Sequence, residues 1–182
     1  MILVLYRLFF TVVSLLLLAV IYLINSNMEI GKLTGAHLCF DVPAIVSYFI
    51  YMAGSLFLTW LCTLAFPHLE TISLQSANVK EIESADSAFV PMYLAYVFVG
   101  VSISSTISLI LCYLLIAVIC FFAQNYYFNP LYYILGYRYY FVTNSTNKKL
   151  LIMTKKHIYL GQEMDFTALK RLNDYSYVDI NR

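Results

Sequence analysis

Polar and apolar positions divide the chain into long uncharged stretches and short charged ones. Leu8 to Met28 and Val42 to Pro67 contain no Asp, Glu, Lys or Arg, and Ser87 to Tyr137 runs 51 residues without one. The first two each exceed the roughly 18 apolar residues that a membrane-spanning helix needs. The third is too long for one crossing, since a straight helix of that length reaches about 75 Å against some 30 Å of hydrocarbon. Its polar cluster, Ser102-Ile103-Ser104-Ser105-Thr106, offers a place to divide it into two helices joined by a tight hairpin. The pattern predicts an α-helical membrane protein with four transmembrane helices, at about 8–25, 43–66, 86–103 and 106–127. A small cytoplasmic β-rich (α+β) C-terminal domain is expected to follow.

Charge placement orients this plan. Lys and Arg concentrate on cytoplasmic flanks. With four crossings and the amino terminus inside, Arg7, Lys80 and the eight basic residues beyond Gly136 lie inside, against Lys32 outside. Three crossings would reverse that balance by sending the tail outside. The expected units are therefore a transmembrane domain over 1–128, with an acidic cytoplasmic loop at 67–86, and a basic cytoplasmic domain over 129–182. The loop holds Glu70, Glu81, Glu83 and Asp86, so loop and tail are electrostatically complementary. Exposed charges attract only within about 8 Å at physiological salt, and solvation of both segments is the plainer expectation.

Phe121 to Phe141 carries eleven Phe and Tyr residues in twenty-one positions. Rings with a polar tip favour the headgroup zone, which makes Tyr126, Tyr127, Tyr132, Tyr133 and Tyr137 candidates for membrane-interface aromatics. Asn129-Pro130 is a helix stop, because proline cannot continue the hydrogen-bond ladder. Beyond it, Tyr137 to Thr143 and Lys149 to Thr154 alternate as strands around a turn at Asn144 to Asn147, which predicts a hairpin. Phe166 to Leu172 reads as a short helix capped by Asp165, and Tyr175 to Ile180 as extended chain. A unit this small buries too little surface to stand alone, so it is expected to pack on the membrane face, on sister subunits or on a partner.

Composition strengthens the membrane reading, with 62% apolar and 12% charged residues where soluble domains hold about 25% charge. No catalytic constellation emerges. His37, His68 and His157 fall in separate segments, and Cys39, Cys62, Cys112 and Cys120 lack the spacing of a zinc or redox site. The cysteines read as small apolar fillers. Glu29, His37, Cys39 and Asp41 form a thin candidate set for a membrane enzyme and read more simply as a solvated loop. The helices carry no acidic or basic residue away from their ends, which argues against proton-coupled transport. The Ser102 to Ser108 cluster keeps open an oligomeric pore or membrane-permeabilising stress protein.

Asn129-Pro130, Gly136-Tyr137-Arg138-Tyr139-Tyr140-Phe141-Val142-Thr143 and Leu150-Leu151-Ile152 carry a resemblance, as does the plan of the whole chain. In these features the chain is similar to the KwaA family, membrane subunits of bacterial Kiwa anti-phage defence systems. The resemblance implies a non-enzymatic inner-membrane sensor or scaffold with both termini cytoplasmic. It also implies a homo-oligomer, a tetramer by analogy, working with the cytoplasmic effector KwaB, which acts on phage DNA functions. No cofactor, metal or direct nucleic-acid contact is implied for the chain itself. Arg138, Lys148, Lys149, Lys155 and Lys156 are the candidates for docking a partner or anionic lipid.

Overall fold

In the computed structural model, residues 2–30, 43–74, 79–123, 129–158 and 166–180 are described. The first apolar stretch forms two helices, α1 (Ile2–Ser14) and α2 (Leu16–Asn25), broken at Leu15. At the break Leu15 N–H donates to Val12 O (3.2 Å), and the Ser14 hydroxyl donates to Phe10 O (2.8 Å). Three-residue bonds of this kind tighten a helix and release carbonyls to other donors. Helix α3 (Ala44–Leu64) starts after Pro43, whose fixed φ suits a helix entrance, and passes into a 3-10 turn at Phe66–His68.

Helices α4 (Asp86–Ser102) and α5 (Thr106–Ala123) form a hairpin whose tip lies beside the end of α2. The Tyr22 hydroxyl meets Thr106 Oγ1 at 3.1 Å, and Asn25 Nδ2 donates to Val101 O at 3.1 Å. Gly100 permits the close approach of α4 to α2, because a Cβ there would sit 2.8 Å from Ile21 Cγ2. A short helix α6 (Leu131–Ile134) precedes the carboxy-terminal strands.

Among the described residues six strands make one sheet: β1 (Thr71–Leu74), β2 (Val79–Ser84), β3 (Arg138–Asn144), β4 (Lys149–Thr154), β5 (Phe166–Arg171) and β6 (Ser176–Asp179), in the order β1-β5-β6-β4-β3-β2. All pairs are antiparallel except β4 with β6. The edge strands β1 and β2 are neighbours in sequence, five peptide steps apart from Leu74 to Val79, a reach of roughly 18 Å at most. A flat sheet of this order would hold its edges about 24 Å apart. The sheet therefore curls until its edges approach. One face buries Tyr139, Leu151, Met153 and Val178 against Phe10, Cys62, Phe66 and Phe89 of the helices. On the other face Tyr140, Val142, Ile152, Phe166 and Leu169 cluster together.

This architecture corrects the expected fold class of four transmembrane helices plus a small cytoplasmic β-rich C-terminal domain. Among the described residues two helical segments, Leu8–Asn25 and Ala44–His68, are long and apolar enough to cross a membrane, while the α4 and α5 segments are shorter apolar helices. Absence of charge overstated the available length, because the far end of the third run, from Asn129 to Tyr137, holds a short helix and a turn. The sheet is also not confined to the tail. Strand β2 pairs with β3 from Ser84↔Tyr140 to Val79↔Asn144, so the segment expected as an acidic loop is part of it.

A second correction concerns Phe166 to Leu172, which is strand and not helix. Between the pairs Ile72↔Leu169 and Leu74↔Phe166, β5 contains one residue more than β1. Such a bulge shifts side-chain alternation by one, so Phe166 and Leu169, three apart, reach the same cluster. That spacing imitates a helix in the sequence. Asp165, its supposed cap, lies outside the described residues.

Candidate functional site

The junction where helices meet sheet is organised by Asn129, which is 0% exposed. Its Oδ1 accepts from Leu131 N–H at 3.0 Å, starting α6. Its Nδ2 lies 3.4 Å from both Val13 O, at the α1–α2 break, and Thr59 Oγ1 on α3. Its backbone oxygen accepts from the Tyr139 hydroxyl at 3.1 Å, and its N–H donates back to that oxygen at 3.4 Å. One residue thus touches two helices and β3. The neighbouring Val12 O, which takes Leu15 N–H, also accepts from the Tyr113 hydroxyl of α5 at 2.6 Å.

Aromatic rings fill the surrounding space. Tyr132 stacks on Phe10 at 5.8 Å and meets Tyr137 edge-on at 5.7 Å, while Phe89 packs on Tyr139 at 4.7 Å. Such pairs add about 0.5–1.5 kcal/mol each beyond the area they bury. Of the expected interface aromatics, Tyr132 and Tyr137 are buried in this core and Tyr133 is half-buried, so the first two rings contact protein. Tyr126 and Tyr127 lie outside the described residues. Burial pushes the Tyr132 and Tyr139 phenols well above the ordinary tyrosine range.

Lys170 on β5, which nothing in the sequence singled out, fastens the same junction. Its ammonium donates to Pro67 O (2.9 Å), Leu69 O (2.9 Å) and Thr71 Oγ1 (2.7 Å), clasping the chain as it leaves α3. Beside it Arg171 pairs with Glu70 (3.7 Å) and Asp174. Loop and tail charges meet directly at Lys149 and Glu83, 2.7 Å apart, and Lys80 donates to the neutral amide oxygen Asn147 Oδ1 at 2.9 Å. Strand pairing brings these groups within the range over which exposed charges attract.

The candidate docking residues divide accordingly. Lys149 is engaged by Glu83 and lies over the Phe141 ring. Lys156 lies 3.8 Å from Asp179, whose carboxylate also accepts from the Thr154 hydroxyl at 3.2 Å. Arg138 and Lys155 cover the rings of Tyr133 (5.6 Å) and Tyr137 (4.7 Å) and remain exposed, as does Lys148. Lys155 also borders a cleft of about 170 Å³ lined by Thr63, Phe66, Pro67, Tyr137, Asp179 and Ile180.

The other polar candidates are dispersed. The Ser102 hydroxyl donates to Phe98 O, and that of Ser105 to Ser108, so both serve the hairpin locally. Among the described residues no three His, Cys, Asp or Glu side chains gather as a metal site. His37, Cys39 and Asp41 lie outside the described residues. The sequence marked Asn129 as a helix stop and as part of the family resemblance. Its buried role was not legible, because Gln124 and Asn125 are amides in the same aromatic run.

Fold and junction together define a class: an apolar helical bundle, with two segments long and apolar enough to cross a membrane, fused to a curled sheet through a buried polar hub. Within that class the chain belongs to the KwaA family of anti-phage proteins, since the family described as "Anti-phage protein KwaA" matches residues 6–178. Its role therefore lies in antiviral defence. Neither a curated protein nor a solved structure matches the chain.

Proposed function

We propose that the chain is a non-enzymatic sensor and scaffold of the bacterial inner membrane, which recruits or activates a cytoplasmic effector, KwaB in the family's system, during phage attack. The observation that carries this reading is the clasp between helices and sheet. Asn129 joins α1, α3 and β3, and Lys170 joins the α3 exit to β5. A displacement of the helices in the bilayer is thereby delivered to the sheet. If Leu8–Asn25 and Ala44–His68 both cross, the amino terminus and the sheet share one side, and the basic flanks favour the cytoplasm for it. Oligomerisation multiplies the recruiting surface. Arg138 and Lys148 offer exposed charge for the partner contact.

The test is co-purification of the effector with the membrane-integrated chain carrying Arg138→Glu and Lys148→Glu. Loss of effector with retained membrane integration is the expected result, whereas undiminished recruitment overturns the assignment of that surface. Ion flux through liposomes containing the purified chain alone would instead favour a permeabilising role.

A further inference from the structure

The cleft beneath the end of α3 combines a cation, an aromatic wall and an apolar approach, and no feature of the proposed recruitment uses it. We propose that it holds the phosphate of an anionic glycerophospholipid, with Lys155 as the contacting cation and the acyl chains lying along the outer face of α3. This assignment rests on the membrane reading given above and adds a ligand and a site to it.

Three observations converge. First, the cleft is lined by one cation and one carboxylate, Lys155 and Asp179, and the carboxylate is already engaged. Asp179 faces Lys156 and takes a hydrogen bond from Thr154, while Lys155 has the Tyr137 ring as its contact and no acidic partner among the described residues. An ammonium resting on a ring face keeps its other donors free for an oxyanion. Second, the cleft opens at the polar end of the apolar segment Ala44–His68, the depth at which phospholipid phosphates lie. Trp60, 44% exposed, sits one turn before Thr63 of the cleft wall, where an indole marks the headgroup layer. Third, Phe57 (57% exposed) and Leu64 (52% exposed) flank Trp60 on the same helical face. Together they make an apolar track leading toward the end of α3, where Thr63 lines the cleft.

A lone lysine in an open cleft holds free phosphate poorly in water. The track supplies the additional attraction, and only a lipid uses both. Arg138, which covers Tyr133, lacks such a track, and Lys149 already serves Glu83.

The experiment uses the full chain purified in mild detergent and read by native mass spectrometry against added phosphatidylglycerol. A lipid with the same chains and an uncharged sugar headgroup serves as the comparison. Wild type should retain phosphatidylglycerol over the sugar lipid. Lys155→Gln should lower that retention about fivefold, the weight of one lysine near an anionic surface. Lys155→Arg should preserve it, and Lys148→Gln should leave it unchanged. Because Lys155 is exposed, the variants should melt with wild type. Equal retention by Lys155→Gln overturns the site, as does displacement of the lipid by inorganic phosphate or by an acidic peptide. Recovery of the chain from the soluble fraction of cells overturns the membrane reading itself, and fractionation is scored before lipid is added.

Discussion

At the residue scale, Asn129 turns a helix stop into a tie. Substitution by Leu removes the acceptor of Leu131 N–H and the amide facing Val13 O and Thr59. Each buried group left unpaired costs about 1–3 kcal/mol, so Asn129→Leu should lower the unfolding free energy by at least that much in detergent denaturation. Tyr139→Phe keeps the ring against Phe89 and deletes only the hydroxyl contacts with Asn129, with an expected loss of about 1–2 kcal/mol. A double-mutant cycle between the two should be non-additive, since the Asn129 side chain fixes the backbone oxygen that accepts from Tyr139; strict additivity would show that the hub does not act as a unit. Gly136 has φ +83° at the exit of α6. Gly136→Ala should cost about 1 kcal/mol for that left-handed conformation, measured in the same assay.

At the element scale, the two kinds of loop–tail contact differ in weight. The Lys149–Glu83 pair is about half exposed on both sides, and Lys149→Ala should change stability by less than about 1 kcal/mol. Lys170→Met removes three bonds at the α3 exit. It should chiefly speed amide hydrogen exchange in β1 and β5, with β3 and β4 little affected; uniform protection across the sheet would show that the clasp is dispensable. The β3–β4 hairpin was legible because its alternation and its turn agree. Asn144 Oδ1 accepts from Thr146 and Lys148, and Asn147 takes φ 58°, both local properties of asparagine. The partner of β2 was not legible, since its pairing with β3 is decided across more than fifty residues.

At the scale of the whole molecule, the buried phenols link stability to pH. Tyr132 and Tyr139 titrate well above an ordinary tyrosine, so their contribution is fully present below the unfolded value near pH 10 and is lost as pH rises further. Alkaline unfolding should therefore begin above about pH 10, with phenolate absorbance from these two rings appearing together with loss of structure. Normal titration of both rings in a chain that remains folded would contradict their burial.

The sequence by itself determined what local chemistry decides: the apolar segments, the helix stop at Asn129-Pro130, the β3–β4 hairpin and kinship with an anti-phage family. The tertiary structure decided which described segments are long and apolar enough to cross, and that Thr71–Leu74 and Val79–Ser84 are strands and not a loop. It also decided that Phe166 and Leu169 share a face through a bulge, and that Tyr132 lies in a protein core. These depend on which distant backbone edge satisfies each N–H and C=O and on which face each ring finds. Hydropathy reports the tendency of a residue to leave water; it does not say whether lipid or protein receives it.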